Sequence, residues 1–382
     1  MYAFAFRSLP VRGMLAIVVF VVLFGISSSE AWAEDNDRGS GGPSGAVYVG
    51  TNQSTGNAVI VFHRAPDGTL SLRGSFPTGG SGIGTGADPL GSQGSVVLDQ
   101  SNRLLFVVNA ASNDFSVFAV VGDTLHLLDK VSSGGTRPIS IAVHERLVYV
   151  LNAGGTPNIA GFVIDPKTNH LVPLPGSQRG LAGGSSANPA QVGFSLDGEV
   201  LTVTEKGTQT IDTYTVNDDG YVSGPISNHS NGGTPFGFEF THGNVAIVSE
   251  AGPNALSSYK AGESGALKLV TGSLANGQAA TCWALVTSDG RYAYSVNAGN
   301  GTISSYAASP DGILALLNPV AATTGTGSTP TDAALSTDSK FLYVRDGGLN
   351  LVHGFRVEAN GSLTPVGTTG GLPANGQGIA AR

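Results

Sequence analysis

Glu205 and Glu250 are the two residues whose type and spacing best suit acid–base chemistry. Each ends a short apolar run, Leu201-Thr202-Val203-Thr204 and Ala246-Ile247-Val248-Ser249. Two carboxylates brought together share a proton or a metal ion, or divide acid and base roles. Asn109, Asn152, Asn297 and Asp346 end runs of the same kind and would offer amide and carboxylate groups to a polar ligand. Arg137 and Arg345 lie near the same ends and would grip a carboxylate or phosphate bidentately. The competing reading is that these Asn, Asp and Glu side chains cap turns through hydrogen bonds to backbone.

What must position them is a repeat. Leu147-Val148-Tyr149-Val150-Leu151-Asn152 is the clearest copy, and Leu105 to Asn109 and Leu342 to Asp346 repeat it closely. Aligning the polar end residues gives Thr51, Asn109, Asn152, Glu205, Glu250, Asn297 and Asp346, with successive gaps of 43 to 58 residues. Short strands repeating on that scale are the mark of a β-propeller blade. Upstream of a copy lies an apolar strand closed by Asp-Gly, as at Asp197-Gly198 and Asp289-Gly290, where the turn needs positive φ. Downstream come a third strand such as Phe115-Ser116-Val117-Phe118 and a fourth after Asp67-Gly68-Thr69-Leu70 or its equivalents. The fold class is all-β, a seven-bladed β-propeller with four antiparallel strands per blade. Only Gly- and Ser-rich sequence precedes Ala46, whereas Gln377 to Arg382 is left over after the seventh copy. That tail is expected to join the first blade as its innermost strand and close the ring.

The N-terminus reads as a secretory signal over residues 1–33. Arg7 and Arg12 precede the apolar run Leu15 to Gly25, and Ala31-Trp32-Ala33 offers the cleavage site. Residues 34–45 form a polar leader and 46–382 the propeller. Export predicts a secreted or periplasmic location and no membrane span after cleavage. Removing residues 1–33 leaves 17 basic and 26 acidic residues, a net charge of −9. Such a surface repels nucleic acid and anionic membranes. The partner expected is a small-molecule ligand or lactone, and the protein is expected to be a monomer.

Cys282 is the only cysteine, so no internal disulfide forms. It starts an inner strand beside Trp283 and reads as a small buried hydrophobe without a basic partner. The seven histidines are scattered without metal-ligand spacing. No cofactor is expected; a structural Ca²⁺ in the central channel is the one alternative, since hard oxygen ligands suit it. Gly79 to Gly84 and Thr324 to Gly327 open no helix and are read as loops, not phosphate cradles.

The phrases Val47-Tyr48-Val49-Gly50-Thr51, Phe194-Ser195-Leu196-Asp197-Gly198 and Thr287-Ser288-Asp289-Gly290-Arg291-Tyr292, with repeated Gly-x-Leu turns, carry a family resemblance. Over residues 46–382 the chain resembles the lactonase-type seven-bladed propellers, which include 6-phosphogluconolactonase-like proteins and carboxymuconate cyclases. That resemblance implies opening or closure of a lactone at the central funnel. It implies a Pro-His pair at the start of an inner strand, but the matching positions hold Gly94, Ile139, Ala190, Phe236, Cys282, Thr331 and Gly378. The family's acidic residue matches Glu205, with Glu250 second. Two readings stand: a lactonase-like enzyme using Glu205 or Glu250 with Arg137, or a non-catalytic binding propeller over the same funnel.

Overall fold

The computed structural model describes residues 43–86 and 88–382, so the signal segment and most of the leader lie outside the described residues. Seven sheets of antiparallel strands follow one another in chain order, and in six of them the innermost strand leads into the blade. In blade four, for example, Pro189–Phe194 is innermost, followed by Val200–Glu205, Thr210–Val216 and Val222–His229. Blade three carries an extra two-residue strand, Arg179–Gly180. Among the described residues the only helical element is the 3₁₀ turn Gly184–Ser186, and no helix is long and apolar enough to cross a membrane.

Second strands are buried along their whole length in six of the seven copies or nearly so, because each lies between an inner and a third strand with blades on both faces. This explains why the template phrase is continuously apolar instead of alternating. Outer strands such as Leu314–Thr323 are mostly exposed.

The tyrosine of the template phrase and the glycine of the outer turn prove to be partners. Tyr149 donates its hydroxyl hydrogen to the Gly220 carbonyl at 2.9 Å, Tyr294 to Gly361 at 3.0 Å and Tyr343 to Gly68 at 2.8 Å. Each bond runs from a second strand to the fourth-strand turn of the next blade, stapling neighbours together. Gly68 has φ +91°, and a Cβ there would sit 2.3 Å from the Phe341 ring. Only glycine therefore fits between the staple and that ring. Tyr149→Phe is expected to lower stability by about 1 kcal/mol by orphaning one buried carbonyl, readable in a chemical denaturation midpoint.

Ring closure occurs as the tail predicts. Ile379–Ala381 pairs antiparallel with Gly45–Gly50, with Val47 opposite Ala381 and Val49 opposite Ile379. The buried Arg64 guanidinium donates to the Arg382 carbonyl at 3.1 Å and lies 5.1 Å over the Phe341 ring.

Candidate functional site

The seven end residues sit at one face of the disc, here the upper face, where inner strands begin. None of them lines the channel. Asn109, Asn152, Glu205, Glu250, Asn297 and Asp346 are fully buried, and Thr51 nearly so. Apart from Thr51, whose hydroxyl donates to Asn57 Oδ1 at 3.1 Å, each side chain meets the crossover that enters its own blade. Asn109 Oδ1 accepts from Thr78 Oγ1 at 2.7 Å, and Asn152 Nδ2 donates to the Ser133 carbonyl at 3.0 Å. Asn297 Oδ1 accepts from Thr281 Oγ1 at 2.7 Å. Asp346 takes the Thr329 amide at 3.0 Å and His353 Nε2 at 2.9 Å. These clamps hold loops, and they correct the expectation of a ring of polar side chains around the mouth. The reason is geometric: the second strand stands one strand away from the channel, so its end reaches the crossover instead.

The two glutamates are engaged separately. Glu250 Oε1 accepts from Ser230 Oγ at 2.9 Å, the Gly232 amide at 2.9 Å and Tyr259 Oη at 3.0 Å. Glu205 accepts from the Gly183 amide at 3.1 Å and from the Thr208 hydroxyl. Its carboxyl partner is Asp212 of the same blade, not Glu250. Burial and this hydrogen bond push the Asp212 pKa up to about 8, the Ala182 amide at 2.7 Å pulling the other way. Both acids are wholly buried, so neither presents an oxygen to a ligand. Arg345 is also fully buried, with Nη2 donating to the Pro373 carbonyl at 3.2 Å; burial draws its pKa down to about 10.

What reaches the channel is set by the inner strands. Five of them carry an irregularity just after entry, between Pro138 and Ser140, Pro189 and Gln191, Pro235 and Phe238, Thr281 and Trp283, and Pro330 and Asp332. In four, the residue before the entry position has positive φ: Arg137 +54°, Asn188 +44°, Thr234 +51° and Ala280 +53°. After three of these four, and at Pro330, proline then fixes the strand's start. The phrases Thr136-Arg137-Pro138, Asn188-Pro189, Thr234-Pro235 and Thr329-Pro330 are thus bulge entries, and the position where the resembled family carries histidine falls in the bulge.

A crossover closes the channel at this level. Residues 78–95 link blades one and two, and their last part dives across the axis. Gln93 Nε2 donates to the Ala284 carbonyl of blade six at 2.9 Å, while Gln93 Oε1 accepts from the Ala284 amide at 3.2 Å. Ser140 Oγ donates to the Gln93 carbonyl at 2.7 Å and Trp283 Nε1 to that of Ser92 at 3.2 Å. A Cβ on Gly237 would lie 2.0 Å from Gln93 Oε1, so that glycine makes room for the plug.

Above this floor, Asp88, Arg137 and Lys206 converge from three segments. Lys206 Nζ donates to the Gly91 carbonyl and stands 4.8 Å over the Phe236 ring. Arg137 Nη2 donates to the Pro89 carbonyl at 3.2 Å, and Asp88 Oδ1 accepts the Gly91 amide at 3.1 Å. Asp88 keeps solvent contact, yet its dense surroundings push its pKa up, against the pull of Lys206. Burial draws the Lys206 pKa down, with Asp88 opposing. Arg137 therefore joins the mouth, in different company from that expected. Cys282, beside them, has a thiol pushed up to about 12 by burial and is no thiolate nucleophile.

Below the floor the channel widens into a cavity of about 380 Å³ that opens at the lower face. Glu239 and Asp332 line it. Among the described residues no group of three or more His, Cys, Asp or Glu side chains is arranged to hold a metal ion. Sequence reasoning missed Asp88, Gln93, Lys206, Glu239 and Asp332. A usable signal existed for Glu239, the one charge inside the run Phe236-Gly237-Phe238-Glu239-Phe240.

The family model described as "Lactonase, 7-bladed beta-propeller" matches residues 245–378, which span blades five to seven. No curated protein matches the chain. Among solved structures, a Lactobacillus plantarum protein is 19% identical, with 89% of this chain and 100% of that chain covered and a TM-score of 0.72. A putative 6-phosphogluconolactonase from Bacteroides fragilis is 19% identical, covering 89% and 98%, with a TM-score of 0.65. The periplasmic gluconolactonase of Pseudomonas aeruginosa is 16% identical, covering 89% and 99%, with a TM-score of 0.69. These likenesses bear out the seven-bladed fold and the family resemblance read from the repeated phrases.

Proposed function

We propose, from the likeness of this chain to lactonase-type seven-bladed β-propellers, that it is an exported lactonase-like protein acting on a small polar lactone or sugar derivative at the upper mouth of the channel. The observation that carries this reading is the convergence of Asp88, Arg137 and Lys206 above the Gln93 floor. Lactone hydrolysis needs a base for water and donors for the developing oxyanion. Asp88, with its raised pKa, takes the proton from water as the oxygen attacks the lactone carbonyl. Arg137 and Lys206 face the charge that develops on the carbonyl oxygen. Collapse of the tetrahedral intermediate breaks the ring C–O bond, and the leaving alkoxide recovers the proton from Asp88. Export rests on the N-terminal signal reading, and the periplasmic location named for the Pseudomonas neighbour supports it.

The test is a panel of aldono- and muconolactones with purified protein. Asp88→Asn is expected to lower kcat/KM by about 10²- to 10⁴-fold, and Lys206→Met by about 10²-fold. Glu205→Gln should leave turnover intact below its melting temperature. A wild-type protein that opens none of these lactones, or an Asp88→Asn variant at full rate, overturns the assignment. The second reading, a non-catalytic binding propeller, is favoured by the missing histidine and by the Gln93 plug that closes the channel below the mouth. It predicts saturable ligand binding without turnover.

A further inference from the structure

The lower channel is a second chamber with its own chemistry. Strand register places Glu239 opposite Ile247, three residues before the end residue Glu250. The positions at the same level in the other six blades are Val97, Ala142, Gly193, Leu285, Ala334 and Ala380. Glu239 is thus the one ionisable side chain on a level otherwise made of small or aliphatic residues. It makes no side-chain hydrogen bond among the described residues, and burial alone pushes its pKa up to about 7.

Asp332 lies toward the plug, two residues up its own inner strand from the level of Glu239. It is only 1% exposed and lines the same cavity. Its Oδ1 accepts the Ala333 amide at 2.8 Å, but Oδ2 has no hydrogen-bond partner. Leaving such an oxygen without a donor is costly. No Lys, Arg or His among the described residues lines the cavity to neutralise either acid. The inner wall is largely aliphatic and aromatic, including Phe194, Leu285 and Leu335, with Asp99, Gln100, Asn102 and Thr337 at the lower rim. Of the amides in the wall, Gln93 and Gln191 are committed to backbone groups of neighbouring blades.

We propose that this chamber is a binding site for a small organic ammonium ion, separate from the upper mouth and entered from the lower face. The ammonium group would donate to Glu239 and Asp332, while its alkyl part packs on Leu285, Leu335 and Phe194. A divalent metal fits less well: among the described residues Glu239, Asp332 and the third acid of the lining, Asp99, are not grouped to hold an ion, a hard cation takes six to eight oxygens, and the space far exceeds one ion. The proposal is independent of the lactonase reading, because the Gln93 plug stands between the two sites.

The experiment is calorimetric titration of the purified protein at pH 7 with n-butylammonium chloride, 1-butanol and CaCl₂, each in two buffers of different ionisation enthalpy. Butylammonium is expected to bind with release of protons from Glu239 and Asp332, seen as a buffer-dependent heat, while 1-butanol gives no comparable signal. Glu239→Gln should weaken butylammonium at least tenfold and reduce the proton release to what Asp332, whose carboxyl burial also keeps protonated, gives up. Glu239→Leu, which copies Leu285 at the same level, should do the same and keeps the test valid if the amide variant folds poorly. Lys206→Met, at the upper mouth, should lower lactone turnover yet leave butylammonium binding in place, so this proposal fails or stands apart from the lactone reading. Absence of butylammonium binding, equal affinity in Glu239→Gln, or binding of 1-butanol as tight as that of the amine would overturn it. So would a Ca²⁺ isotherm lost in Glu239→Gln, which would make the chamber a metal site.

Discussion

Deleting Gln377 to Arg382 is expected to abolish cooperative unfolding or to lower the melting temperature by at least ~10 °C, with the truncated protein associating in solution. The tail donates and accepts across the ring seam: the Ala46 amide to the Arg382 carbonyl at 3.2 Å, the Arg382 amide to the Ala46 carbonyl at 2.9 Å, and the Gly50 amide to the Gly378 carbonyl at 3.0 Å. Each such bond is worth about 1 kcal/mol net, and burying Ile379 adds about 2 kcal/mol. Gln377 contributes further, accepting the Leu90 amide at 2.7 Å and donating to the Ser92 carbonyl at 3.2 Å. The same deletion therefore loosens the channel plug. Together these approach the whole stability of an ordinary domain, about 5–15 kcal/mol. It also bares the edge of Gly45–Gly50, a template for pairing with another chain. Ala380→Pro is the milder form of the test, since Ala380 stands opposite Tyr48 in the ladder and proline removes one donor. Calorimetry and light scattering read both effects. A truncated protein that melts like the full chain and stays monodisperse would mean that the seam contributes little.

The ring and its seam were legible because strand patterning is local and repeats. An apolar run ended by a polar residue marks a second strand in every blade, and the unmatched tail marks the closure. The site was harder to read because its residues come from places where the repeat is broken. Glu205 and Glu250 drew attention as acids at recurrent positions, yet recurrence is itself the sign of a structural clamp: Asn109, Asn152, Asn297 and Asp346 perform the same loop-holding task. Asp88 and Gln93 have no counterparts in the other crossovers. Their roles depend on a loop crossing the axis to Ala284, which is 191 residues away in sequence. The pairing of Tyr149, Tyr294 and Tyr343 with turn glycines lay between these extremes, with both halves visible as motifs and only the bond between them hidden.

The pH dependence of stability should be governed on its alkaline side by Asp212. Its carboxyl hydrogen-bonds to Glu205 in a wholly buried site, where two adjacent charges cannot both persist. Oδ2 accepts the Ala182 amide at 2.7 Å, and Oδ1 has no donor of its own, as fits an oxygen carrying the shared proton. Tyr214, whose hydroxyl donates to the Gly180 carbonyl at 2.9 Å, closes the site, and its own pKa is raised by burial and by the charges of Asp212 and Glu205, with Arg179 opposing. The folded protein binds this proton up to about pH 8, whereas an unfolded aspartate releases it near 3.8. Between those values the native state holds more protons than the unfolded state, so stability is greatest below the lower value and falls as pH rises toward 8. The loss is on the order of a few kcal/mol, since one pKa unit corresponds to about 1.4 kcal/mol. Asp212→Asn keeps a donor toward Glu205 and an acceptor for Ala182 while removing the titration. It should match the wild type near pH 5, exceed it by several degrees in melting temperature at pH 8, and flatten the slope between. Parallel pH profiles for the two proteins would show that the Glu205–Asp212 pair does not hold a shared proton. On the acid side the opposite sign applies to Asp346, whose carboxylate is held well below its ordinary range by His353 and by the Thr329 and Leu349 amides, against the cost of burial. Its contribution is present above the unfolded value and disappears as pH falls, so Asp212→Asn should leave that limb of the profile untouched.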